Sequence, residues 1–387
     1  MSNNTEMRDS IKQALQRIKD DLRLGESALS NPSQFKGVLG DILPGSTNEP
    51  ARNLMNVAIG MDAYNRLKNS SSRDMGANVQ SMAGEMNRKH FVPTDVATMM
   101  IECIAELLGY EFSSEPINPE EQYLLGEQYF NGDGVEKDMH EAVSWYRKAA
   151  EQGFAKAQHM LAFCYYKGYG IEKNVNNAVS LYRKAAEQGY ANAQRNLGIC
   201  YDYGEGVEKD CKKAVTWYEK AAEQGFARAQ CNLGSCYYLG NGVEKDYTKA
   251  VKWYEKAAEQ GVAKAQCLLG NCYYYGNGVE KDYTKAIKWY EKAAEQGVAE
   301  AHHNLGNCYY YGEGVEKDYT KAVSWYEKAA EQENAEAQYK LGLCYQYGRD
   351  VEKNTNKAEF WYQKAADNGH KTAKTVLNSA DLNIFDW

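Results

Sequence analysis

The stretch Leu305-Gly-Asn-Cys-Tyr-Tyr-Tyr-Gly-Glu-Gly-Val-Glu-Lys-Asp-Tyr-Thr-Lys-Ala-Val-Ser-Trp-Tyr-Glu-Lys-Ala-Ala-Glu-Gln-Glu333 decides the fold, because the chain repeats it. Gln122, Gln158, Gln194, Gln230, Gln266, His302 and Gln338 stand 36 residues apart without insertion. A fixed period of this length marks a repeat architecture, to be recognised before any other reading. The first part of each unit reads as a helix, helix A. Ala157, Leu161, Cys164 and Tyr165 fall at i, i+4, i+7 and i+8, one apolar stripe. The glycine beside that stripe (Gly126, Gly198, Gly234, Gly270, Gly306, Gly342; Ala162 in the second unit) costs helix propensity. Its presence predicts close approach of another helix.

Tandem glycines such as Gly276 and Gly278 end helix A. Asp138, Asn174, Asp210, Asp246, Asp282, Asp318 and Asn354 stand where an N-cap belongs, opening helix B. Helix B carries Ala-Val, Trp-Tyr and Ala-Ala pairs to bury, and ends at Gly153, Gly189, Gly225, Gly261, Gly297 and Gly369, the left-handed C′ position. Glu333 replaces that glycine in the sixth unit, so this helix is expected to run on or end less sharply. One such pair cannot bury its stripe alone, whereas stacked pairs share a core. The expected fold is all-α: a right-handed α-solenoid of helix-turn-helix repeats preceded by a small helical bundle. The expected divisions are 1–112, a helical N-terminal module; 113–119, a linker; 120–373, seven 36-residue repeats; and 374–387, a capping helix and tail. There Ala373, Val376 and Leu377 cover the last pair and Ile384, Phe385 and Trp387 tuck back.

The units resemble Sel1-like repeats, relatives of tetratricopeptide repeats. Leu-Gly in helix A, Tyr-x-x-Gly-x-Gly-Val in the turn, and Lys-Ala-x-x-Trp-Tyr-x-Lys-Ala-Ala-x-x-Gly in helix B carry the resemblance. Departures are Ala162 for Gly, Leu181 for Trp, and Asp350 for the second turn Gly. The resemblance implies an adaptor that holds other proteins in a concave groove, without identifying the partner. The segments 31–45 and 52–59 also resemble a small helical module found beside regulatory domains in Gram-positive bacteria, which points to a bacterial source.

Composition bounds the partners. The 387 residues carry 45 basic and 53 acidic side chains, a formal charge of −8. No basic half hides behind the average: 1–117 holds 12 basic and 15 acidic residues, and 118–387 holds 33 and 38. Nucleic acid and anionic membranes, which need basic surfaces, are therefore not expected partners. A polar N-terminus and no long apolar run point to a cytoplasmic protein without a membrane span.

Cys164, Cys200, Cys236, Cys272, Cys308 and Cys344 recur at one helix A position. Packed helices lie roughly 8–10 Å apart, while a disulfide needs Cα atoms within about 7 Å, so the ladder reads as buried thiols. A cysteine-rich secreted branch of Sel1-like proteins pairs this cysteine with one late in helix B, where this chain has alanines such as Ala293 and Ala294. Cys103, Cys211, Cys231 and Cys267 are expected to break the period and share no task.

Comparing units within the chain, helix A varies at positions two, three, six, nine and ten, the expected concave lining. The residues assigned to partner binding are Asn196, Tyr203, Asn232, Tyr238, Asn271, Tyr274, Tyr275, Asn304, Asn307, Tyr310 and Tyr311. Asn can donate to and accept from a main chain, and Tyr offers rigid contact area with a polar tip. The expected partner is a protein or extended peptide. Catalytic residues, cofactor and metal are expected to be none: six histidines, expected at exposed or lining positions, form no HExxH or His-Cys pattern, and GxxxxGK[ST] is absent. Two alternatives stand beside the scaffold: a secreted or injected effector acting by protein binding, and a β-lactam-binding hydrolase, which the cysteine-rich relatives suggest.

Overall fold

The computed structural model describes residues 118–378 together with Val79, Met82 and Ile101. The expected module at 1–112 and the tail residues Ile384, Phe385 and Trp387 lie outside the described residues. The chain divides into two compact units, Met1–Lys173 and Asn174–Trp387. Among the described residues every regular element is an α-helix.

The first unit holds α1 (Pro119–Asn131), α2 (Met139–Glu151) and α3 (Ala155–Lys167). The second holds α4 (Val175–Glu187), α5 (Ala191–Tyr203), α6 (Cys211–Glu223), α7 (Ala227–Leu239), α8 (Tyr247–Glu259) and α9 (Ala263–Tyr275). It continues with α10 (Tyr283–Glu295), α11 (Ala299–Tyr311), α12 (Tyr319–Ala330), α13 (Ala335–Tyr347), α14 (Thr355–Asp367) and α15 (Lys371–Asn378). Within the second unit, helices that follow one another in the chain pack together, an α-solenoid of helix pairs.

Local chemistry sets the boundaries. Asp246 and Asp282 accept hydrogen bonds from the backbone N–H three residues on, at 2.9 Å, and so open α8 and α10. Helix A closes on a left-handed glycine, as at Gly276 (φ 74°), where Gly276 and Asn277 both donate to the Cys272 carbonyl. Helix B packs Ala, Val and Tyr inward: Tyr218, Tyr254, Tyr290, Tyr326 and Tyr362 are fully buried. The tryptophan is only half-buried from α6 onward, with a lysine over its ring from α6 to α12; Lys256 Nζ is 4.3 Å from the Trp253 centroid.

The sixth unit departs from expectation. α12 does not run on; it stops after 12 residues, one fewer than the other B helices. Glu333 itself takes the left-handed conformation (φ 62°). Its N–H still donates to Ala330, and the next residue, Asn334, caps α13 by accepting from Ala337 N–H. Those bonds hold the exit geometry, and a side chain at the equivalent Gly297 would meet open space. Only the backbone cost of about 1–2 kcal/mol remains.

The helix A glycine admits a tyrosine ring first and the backbone of helix B second, since a methyl at Gly270 would also stand 3.2 Å from the Ala286 carbonyl oxygen. A methyl added at Gly270 would stand 2.6 Å from two ring carbons of Tyr290, and one at Gly234 would stand 2.7 Å from Tyr254. Gly270→Leu would gain about 1 kcal/mol of helix propensity but must displace a buried ring. Overpacking costs about 1–3 kcal/mol or more, so the clash wins. The melting temperature of Gly270→Leu is expected to fall clearly below wild type; an unchanged value would show that the ring does not need that glycine.

Candidate functional site

The buried helix B tyrosine brings a phenol into the core, and a buried hydroxyl needs a partner. Helix A supplies it from its sixth position: Tyr254 donates to Ser235 Oγ (3.2 Å), Tyr290 to Asn271 Oδ1 (2.8 Å) and Tyr326 to Asn307 Oδ1 (2.8 Å). In the first unit Tyr146 donates to Glu127. Two asparagines assigned to the groove thus hold the scaffold's own phenols. Asn271 also accepts from Asn304 Nδ2 (2.9 Å) and donates to Glu300 (3.2 Å), and Asn307 pairs with His303 (3.2 Å).

The ninth position is wedged between helices. Tyr238, Tyr274 and Tyr310 lie edge-on to Tyr247, Tyr283 and Tyr319 at 4.9–5.1 Å. Each also meets the turn of the following unit. Asn277 donates to the Tyr238 hydroxyl (2.9 Å), Tyr274 donates to Glu313, and the Arg349 guanidinium lies 5.0 Å from the Tyr310 ring. Burial, reinforced by the Glu313 carboxylate, pushes the Tyr274 phenol up.

The tenth position is the exposed one. Tyr203 is 71% exposed, Tyr275 64% and Tyr311 49%, with Leu239 and Tyr347 completing a row of one residue per repeat. Tyr311 accepts from Lys340 Nζ at 2.8 Å. Asn196, Asn232 and Asn304 on the third position are half-buried, and Asn196 accepts from Arg195 (3.2 Å). The eleven assigned residues therefore form two layers: exposed tyrosines over half-buried side chains bonded mostly within the fold, with Tyr310 the most buried at 7%.

A second network escaped the sequence reading although its residue marked the period. Gln194, Gln230 and Gln266 donate to the carbonyls of Ala186, Ala222 and Ala258 on the preceding helix B. Each accepts in turn from a glutamine ending the next helix B: Gln224 (2.7 Å), Gln260 (2.8 Å) and Gln296 (2.8 Å). His302 takes this place in α11, paired with Gln332 (3.3 Å) and stacked on Trp325. It is buried, and not exposed or lining as expected, because it substitutes for a core amide.

Cys200, Cys236, Cys272, Cys308 and Cys344 are buried free thiols, each pushed up to about 12 chiefly by burial; Cys164 in the first unit is the same. Cys231 and Cys267 do not break the period. They stand 36 residues apart and fill equivalent core positions against Tyr254 and Tyr290. Small apolar thiols fit there because the adjoining ring takes most of the volume. Among the described residues no group of three or more His, Cys, Asp or Glu is placed to hold a metal ion.

His303 lies under Asn307 with its ring 6.0 Å from that of Tyr326, and burial, aided by Lys340, pulls its imidazole down to about 4. In the unfolded chain the value is about 6.5, so on acidification the unfolded state takes the proton first. The stability that neutral His303 contributes is complete above pH 6.5 and is lost as pH falls toward 4, by up to about 1.4 kcal/mol per pH unit. His303→Cys, the residue at Cys231 and Cys267, is expected to lose less stability than wild type between pH 7 and 4.5 in urea titrations. Equal losses would exclude this histidine as the source.

The Sel1 repeat family model matches residues 122–154, 155–190, 191–226, 227–262, 263–298, 299–334 and 335–370. A protective antigen present in uropathogenic Escherichia coli strains, displaying an SLR fold, is 34% identical and superposes with a TM-score of 0.60. The match covers 80% of this chain and 67% of that one. A Sel1 repeat protein from Oxalobacter formigenes is 37% identical with a TM-score of 0.59, covering 63% of this chain and 96% of the other. No curated protein matches.

Proposed function

We propose that this chain, which belongs to the Sel1 repeat family, is a non-enzymatic scaffold that holds an extended protein segment along its helix A faces. The observation that carries the reading is the row Tyr203, Leu239, Tyr275, Tyr311 and Tyr347, exposed once per repeat. Scattered single apolar residues on a surface need no explanation, whereas an ordered row of large ones suits a contact surface. Tyrosine contributes heavily where it is desolvated by a partner.

The deeper layer makes the row rigid. Tyr275 and Tyr311 lean edge-on against Tyr274 and Tyr310, at 4.8 and 4.9 Å, so little side-chain freedom is left to lose on binding. Chemistry is disfavoured for a physical reason: ladder thiols at about 12 are far from thiolate, and His303 is held neutral. The net charge of −8 favours a protein partner over nucleic acid.

The triple variant Tyr203→Ala, Tyr275→Ala, Tyr311→Ala is expected to fold as wild type, since exposed substitutions usually change stability by about 0.5 kcal/mol or less. It is expected to lose partners that wild type captures by crosslinking from its own lysate. Asn271→Ala, by contrast, leaves the Tyr290 phenol unpaired and is expected to cost about 1–3 kcal/mol of stability. Undiminished capture by the triple variant would place the binding surface elsewhere.

Free thiols at the nine described cysteines fit a reducing compartment, and we place the protein in the cytoplasm. Recovery of most of the protein from the culture medium would overturn that placement and favour an exported effector.

A further inference from the structure

The last repeat differs from its neighbours in charge. At the third helix A position, where Asn196, Asn232, Leu268 and Asn304 are neutral, α13 carries Lys340. Between the turn glycines, where Glu205, Asn241, Asn277 and Glu313 stand, the chain has Arg349. Both cations collect around one aromatic corner. Lys340 Nζ is 5.7 Å from the Tyr310 centroid and 5.3 Å from that of Tyr311. The Arg349 guanidinium lies 5.0 Å from the Tyr310 ring and 5.5 Å from that of Tyr347. Tyr310 forms the floor, and Tyr311 and Tyr347 are the exposed walls.

Two nearby carboxylates are already engaged. Glu313 accepts from Tyr274 and Tyr283, and Glu336 faces His370 Nε2 at 3.3 Å. Asp350 follows Arg349 in the chain. In a chain of net charge −8 the corner is thus a cationic, apolar spot.

Helix α15 leads the chain toward it. Val376 is buried with Tyr362, and Leu377, Tyr339 and Leu343 pack against the same cluster. Tyr339 and Leu343 flank Lys340 on α13, so the chain leaves α15 beside the face that carries the corner. The sequence then reads Ser379-Ala-Asp-Leu-Asn-Ile-Phe-Asp-Trp387: Leu382, Ile384, Phe385 and Trp387 with Asp381 and Asp386, and no basic residue. Nine extended residues reach about 30 Å, against about 20 Å for the length of a 13-residue helix such as α13.

We propose that residues 379–387 bind this corner of their own chain, apolar side chains on the tyrosines and aspartates toward Lys340 and Arg349. The inference deepens the scaffold reading and rests on it, since it makes the tail the first occupant of the helix A face. It also names the chemistry a partner needs there: an acidic segment with large apolar residues, able to displace the tail. A tethered segment acts at an effective concentration of about millimolar, so even a weak contact keeps the corner largely filled.

The test is a fluorescein-labelled peptide of 379–387 titrated into full-length proteins by anisotropy. Ile384→Asp with Phe385→Asp disables the protein's own tail without touching the described fold. This double variant is expected to bind the peptide saturably, wild type about tenfold more weakly because its tail competes, and a scrambled peptide not at all. Adding Lys340→Glu and Arg349→Glu is expected to abolish binding, as is Tyr311→Ala if charge reversal disturbs folding. No saturable binding to the double variant, equal binding to wild type, or insensitivity to the corner variants would overturn the proposal. A tail effect that disappears on dilution, with a dimer at high concentration, would overturn the intrachain version. Loss of partner capture in the triple tyrosine variant is read separately. Should the peptide fail while that loss persists, the scaffold reading stands; should the peptide bind while no partner is ever captured, that reading falls instead.

Discussion

The second unit depends on one contact repeated from pair to pair: the buried helix B tyrosine set against the helix A glycine. Tyr290 over Gly270 leaves no room for even a methyl group. Its ring fills the space between helices, and its hydroxyl is paired inside the fold at Tyr254, Tyr290 and Tyr326, whereas the Tyr218 hydroxyl, in the repeat whose sixth position is Ile199, has no hydrogen-bond partner. Glycine in mid-helix costs about 1 kcal/mol, a small loss beside the burial of an aromatic ring. From that choice follows the sixth helix A position, which must accept a hydrogen bond where the phenol is to be paired, and does so as Ser235, Asn271 or Asn307.

Glutamine ties the pairs into an array. A side chain such as Gln230 donates to Ala222 behind it and accepts from Gln260 ahead of it, so each buried amide joins three helices. Because buried amides are costly when unpaired, this ladder penalises any shift in register between neighbouring repeats. The half-buried tyrosines at 238, 274 and 310 do related work at the other end of helix A, joining each repeat to the turn of the next. At the helix A ends Tyr203, Tyr275 and Tyr311 stand exposed.

The same separation explains which parts of the candidate site were legible. The variable positions were readable by comparing units. Their division into two layers was not, because Asn271 and Tyr275 look equally polar and equally variable as letters. Only the position of the Tyr290 phenol makes one of them structural. Cys231 and Cys267 were expected to break the period although they stand 36 residues apart, and their shared burial shows only in the packing. His302 was expected at an exposed or lining position, and only its place in the amide ladder shows it buried.

The sequence by itself determined the repeat length, the helix starts at Asp or Asn, the helix ends at Gly, and hence the all-α class, because caps and periodicity are local properties of the chain. Tertiary structure decided what each side chain is for. It showed that glycine answers to a tyrosine ring, that Glu333 adopts the conformation of the glycine it replaces, and that α12 stops one residue short of its siblings. These outcomes depend on partners 20 or 30 residues away and on the space they leave, quantities that no local pattern of residues contains.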